Sequence, residues 1–146
     1  MQRNARPSRE VFYFGLLALG WLFCARTTFA IDLGPEESRL LIKTFQDSQF
    51  PFVEESGAFL YNAVRSLCRT TFIPRRGRVT GCSFWNISEE KFGLSGKQAE
   101  MTYDLFVKLK FPLEPLPHEM EIRSGAIECT TRPNNNQQGS CWIQAH

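Results

Sequence analysis

Two pairs of closely spaced cysteines constrain this chain more than any other feature. Cys68 and Cys82 enclose Arg-Thr-Thr-Phe-Ile-Pro-Arg-Arg-Gly-Arg-Val-Thr-Gly. Cys129 and Cys141 enclose a second segment, with Asn134-Asn-Asn-Gln-Gln-Gly139 near its centre. Four cysteines allow three pairings. The expected one is Cys68–Cys82 with Cys129–Cys141, because each pair then closes a short loop with turn chemistry inside. Such a closure stabilises a small domain by about 3 kcal/mol, through restriction of the unfolded chain. A metal site would favour close C-x-x-C spacing, which is absent.

Disulfides persist in oxidising compartments, and the N-terminus carries the pattern of an export signal. Arg3, Arg6 and Arg9 precede an apolar run from Val11 to Cys24, and Thr28-Phe29-Ala30 offers small residues for cleavage. A membrane-spanning helix needs about 20 apolar residues, more than this run supplies. Residues 1–30 are therefore expected to be a signal peptide, and residues 31–146 a single small exported α+β domain, periplasmic or extracellular. No transmembrane segment is expected after removal of the leader. The leader takes the fifth cysteine, Cys24, with it. It also holds four arginines and one glutamate, so residues 31–146 carry 13 bases against 14 acids. A domain near neutrality lacks the general positive field that nucleic acid binding uses, and none is expected.

Helical spacing predicts three helices. Gly34-Pro35-Glu36-Glu37 starts the first, which runs to about Asp47. Leu60, Ala63, Val64 and Leu67 suggest a second over Ser56–Leu67. Ser95, as cap, with Gln98 three residues on suggests a third over Ser95–Lys110. Between these, Cys68–Ile73 and Arg78–Ile87 read as strands joined by Pro74–Gly77. A four-residue loop would set Cys68 opposite Ser83, so a bulge at Gly81 is expected to align the cysteines. Phe111–Pro117 holds three prolines and reads as an extended surface crossover. His118–Thr131 reads as one strand with a bulge at Ser124-Gly125, and Ser140–Ile143 as the closing strand. The expected fold is a four-stranded antiparallel sheet of two disulfide-stapled hairpins, with about three helices packed on one face. A helix followed by a cysteine hairpin occurs twice, which hints at an internal repeat. Thr70 and Thr131 each follow the first cysteine by two residues, and Trp85 and Trp142 lie near the second.

Residues suited to catalysis are few. His118 stands at a strand entrance and His146 is terminal. Glu36/Glu37, Glu54/Glu55 and Glu89/Glu90 are adjacent acids, whereas hydrolysis of a glycoside needs carboxylates facing across a cleft. His118 with Glu119 and Glu121 is a weak grouping for a metal. No catalytic residue, metal or cofactor is assigned. Asn86-Ile87-Ser88 is an N-glycosylation sequon, meaningful only where the host possesses that pathway.

The distinctive charge feature is a segment from Ser56 to Ser88 that has no acid and holds Arg65, Arg69, Arg75, Arg76 and Arg78. A hairpin tip must be polar, and arginine also guards an exposed edge. Arginine on a stapled loop is equally a preferred interface anchor, with little ordering entropy to lose. The expected function is a binding or inhibitor-like module that recognises an acidic exported protein or a polyanionic envelope ligand. Its contact residues are Arg69, Arg75, Arg76 and Arg78. The alternatives are a small cell-envelope hydrolase and a structural envelope component.

Overall fold

The computed structural model describes residues 29–132 and 135–145. In chain order the elements are β1 (Phe29–Asp32), α1 (Pro35–Asp47), β2 (Val53–Glu55), β3 (Ala58–Ala63), β4 (Arg65–Ile73) and β5 (Gly77–Trp85). Then come β6 (Lys91–Ser95), α2 (Lys97–Lys108), β7 (Leu113–Leu116), β8 (Glu119–Ser124), β9 (Ile127–Arg132) and β10 (Asn135–Ala145). The strands form two five-stranded antiparallel sheets, ordered β1-β10-β9-β3-β2 and β6-β5-β4-β8-β7. The described chain is mostly β, so the expected four-stranded sheet with three helices is wrong. Among the described residues no helix is long and apolar enough to cross a membrane. The expected leader lies outside the described residues, except that Phe29 and Ala30 already belong to β1.

Each departure has a local cause. The expected helix over Ser56–Leu67 is instead β3 and the start of β4, because Ser56 and Gly57 both adopt positive φ and turn the chain into a hairpin. Tyr61 and Ala63 then alternate inward at the period of a strand. The apparent bulge at Ser124-Gly125 is the point where the chain leaves one sheet for the other. The first helix matches its expected span. The capping box at Ser95 does not form: Ser95 ends β6, Gly96 precedes α2 without a side-chain cap, and Gln98 Nε2 donates to Thr44 Oγ1 on α1 (2.9 Å). The proline-rich segment supplies β7, an edge strand, where an absent N–H is tolerated.

The two sheets are built alike. β1-α1-β2-β3 and β6-α2-β7-β8 are equivalent stretches, and each is followed by a cysteine hairpin that pairs into the other stretch's sheet. The exchange occurs across Val64 and across Gly125-Ala126. Leu33 and Leu94, Phe45 and Phe106, Phe50 and Phe111, and Cys68 and Cys129 occupy corresponding positions. The threonines also correspond, but Trp85 and Trp142 do not, since Gln144 takes the place equivalent to Trp85. Thr70 shares a hydrogen bond with Thr80 opposite it (2.9 Å). Thr131 faces Gly139, which offers no hydroxyl, and its buried oxygen has no partner among the described residues. A side chain at Gly139 is disfavoured because its Cβ would lie 2.9 Å from the backbone oxygen of Thr130 and also against Ile42 Cδ1 of α1.

α1 packs on β9 and β10, and α2 on β4, β5 and β6. The helices meet at a buried Thr44–Thr102 hydroxyl pair (2.9 Å). Phe45 stacks on Tyr61 of the first sheet and meets Phe84 of the second edge-on, with centroids 5.5 and 5.3 Å away. One apolar core is thus shared by both sheets. The disulfides are Cys68–Cys82 and Cys129–Cys141, and all four cysteines are buried. Removing one bridge by Cys68→Ala together with Cys82→Ala is expected to lower unfolding stability by about 3 kcal/mol. Denaturant titration of the oxidised protein and the double variant measures this, and equal midpoints would contradict it.

Candidate binding surface

The turn that ends β4 is shorter than its sequence suggests. Ile73 pairs with Gly77, leaving Pro74, Arg75 and Arg76 as the loop. Arg76 N–H donates to Ile73 O at 3.1 Å, and Arg75 takes φ +69° between them. Proline followed by a positive-φ residue is the signature of a type II turn, in which glycine is the usual occupant of that second place. Gly77 also has positive φ, at +79°. With three loop residues the strands run in register, Cys68 sits directly opposite Cys82, and the expected bulge at Gly81 is absent.

Register separates the four arginines. Arg78 turns toward α2 and is held there: its Nη2 donates to Asp104 Oδ1 (2.7 Å) and Glu100 O (3.4 Å). Its Nε donates toward Thr70 and Thr80 (3.2 and 3.3 Å), and its guanidinium lies 5.0 Å from the Tyr103 ring centroid. Burial, only partly offset by the charge of Arg78, raises the Tyr103 phenol above its ordinary range. Arg69 lies on the opposite face and donates from Nε to Glu121 Oε2 (2.6 Å), with Glu119 at 3.9 Å. Arg123 donates to the other oxygen of Glu121. Arg75 and Arg76 are exposed and form no ion pair among the described residues.

The tip is also apolar, a property the residue pattern did not reveal. Phe72 is 71% and Val79 49% exposed, and Ile73 is exposed beside them. Phe72 lies on the inward face of β4, but beyond Thr70 and Thr80 no described residue buries it. The combination is therefore two unpaired guanidiniums at the end of a disulfide-closed hairpin, with Phe72 exposed on one face and Ile73 and Val79 on the other. At the other end, Arg65 bonds Glu89 (2.7 Å) and lies over Trp85 (4.3 Å). The second hairpin's expected tip, Asn134–Gly139, falls largely outside the described side chains. The two hairpins belong to different sheets.

His118 is exposed in the turn between β7 and β8. A cleft of about 550 Å³ between the helices is lined by Glu36, Arg39, Lys43, Lys97, Gln98 and Met101 among others. A trough of about 480 Å³ runs over β5 and β6, beside Arg69 and Lys91. Neither contains His118. Among the described residues, no three His, Cys, Asp or Glu side chains group as metal ligands. Comparison with known protein families, with characterised proteins and with solved structures finds no match.

Glu121 has no solvent exposure. Burial is the largest single influence on it and opposes ionisation. Hydrogen bonds from Arg123 and Arg69, with their charges, together outweigh burial and hold the carboxyl below its usual range. A carboxyl depressed in the folded state stabilises above its unfolded pKa of about 4.3, and that contribution disappears as pH falls through the lower folded value. Glu121→Gln is therefore expected to lower Tm at pH 7 and to lose less further stability than wild type on acidification from pH ~4.5. Parallel melting curves down the acid limb test this; identical slopes would show that Glu121 does not couple to folding.

Proposed function

We propose that this is an exported, non-catalytic binding module that engages an acidic protein surface through the β4–β5 tip. The observation that carries this reading is unpaired Arg75 and Arg76 at a tip whose two faces both expose apolar side chains, Phe72 on one and Ile73 with Val79 on the other. A disulfide-closed strand pair presents them with little ordering left to lose on binding. Arginine and aromatic side chains are the residue types that dominate interface energetics. The apolar neighbours favour a protein partner over a polyanionic polymer, which would leave them without contacts. Arg69 and Arg78 move from the contact set to the support of the hairpin: one ties β4 to β8, the other β5 to α2.

This division yields opposite expectations for neighbouring arginines. Arg75→Ser with Arg76→Ser is expected to leave Tm nearly unchanged, as surface substitutions do. The same change should weaken partner capture by at least about tenfold. Arg78→Ser is expected to destabilise by about 1–2 kcal/mol, because it removes a charge-assisted hydrogen bond and a cation–π contact. Immobilised oxidised protein, exposed to the surrounding extracellular fluid at low and high salt, provides the binding measurement. Capture that is insensitive to salt and to Arg75 and Arg76 would defeat the proposal.

A further inference from the structure

The turn between β5 and β6 carries Asn86-Ile87-Ser88, the single N-x-Ser/Thr sequence in the chain. Its geometry suits a modified asparagine. Asn86 Oδ1 accepts from the backbone N–H of Ser88 and of Glu90, both at 3.0 Å. Asn86 Nδ2 donates to Glu90 Oε2 at 2.7 Å. An asparagine amide has two N–H bonds, and this contact uses one of them. Ile87 is 87% exposed, and Ser88, Glu89 and Glu90 are also exposed.

We infer that Asn86 is an acceptor for an N-linked oligosaccharide, an inference that rests on the exported reading above. The donor class is a lipid-pyrophosphate-linked oligosaccharide. The C1–O bond to pyrophosphate breaks, the Nδ2–C1 bond forms, and the electron pair leaves with the lipid pyrophosphate. One Nδ2 proton is lost. The remaining N–H can still donate to Glu90, and Oδ1 keeps both backbone donors. The product therefore keeps both backbone hydrogen bonds to Oδ1 that shape the turn. A glycan here also shields Ile87, an apolar side chain otherwise held in water. The site is at the opposite end of the hairpin from Arg75 and Arg76, so modification leaves the proposed contact surface open.

The test is secretion of the full chain from cultured animal cells, beside a form in which an established secretion leader replaces residues 1–30. The expected product carries the mass of one glycan, removed by peptide N-glycosidase. Ser88→Ala, which retains the backbone donor to Asn86, is expected to abolish the modification, and Ser88→Thr to retain it. A glycan only in the form with the replaced leader would uphold the acceptor site and overturn export by the native leader. Secreted, disulfide-intact protein with an unmodified Asn86 in both forms would overturn the inference.

Discussion

The buried disulfides set the spacing between each helix and its sheet. Cys82 Sγ lies 3.6 Å from Ala99 O of α2, and Cys141 Sγ lies 3.5 Å from Ser38 O of α1. These are packing contacts, since a bridged sulfur carries no proton. Ser38 and Ala99 are themselves fully buried. Their small side chains let the helix backbone approach the bridge, and anything larger would push helix and sheet apart. The cross-link thus joins two adjacent strands and also forms the floor on which a helix rests. With both hairpins exchanged between sheets, loosening either bridge loosens the core that the sheets share.

Much of this was legible where local rules act alone. Pro35 and two following acids mark α1, and the cysteine spacing marks both hairpins. What escaped was decided over longer range. Val64 and Gly125-Ala126 are where strands change sheets, yet neither announces it: Val64 continues an apolar run, and Gly125-Ala126 mimics a bulge. Short edge strands such as β2 and β6 contain too few residues to show a period. The second expected helix failed because Leu60, Ala63, Val64 and Leu67 fit a helical spacing by coincidence. The signal against it was local: Ser56-Gly57 before Phe59 and Tyr61 is turn chemistry ahead of strand formers.

The arginines show the same limit at the level of function. Sequence shows how many charges a segment contains, but pairing is a property of register. A loop one residue shorter than expected places Arg78 beside Thr80 on the face of α2, and Arg69 above Glu121. These two then serve the fold, through partners 26 and 52 residues away. The remaining pair, with the apolar residues beside it, forms a smaller and chemically sharper surface than five arginines in one window implied.

The twofold construction weighs on why that surface is cationic. Both hairpins occupy equivalent places in equivalent sheets, although the second carries a register shift between Asn135 and Gly139 that the first lacks. In sequence the second hairpin holds Pro133-Asn-Asn-Asn-Gln-Gln138 after Arg132, so a single cation stands beside uncharged amides. Uncharged amides meet the polar requirement of a reversal as well as arginine does. Nor does backbone geometry ask for one: at φ +69° Arg75 stands where glycine would be easier. Solubility argues against Phe72 and Val79 in the same place. The strand reversal itself requires neither two unpaired cations nor an exposed aromatic at the first tip, and this supports the contact surface proposed above.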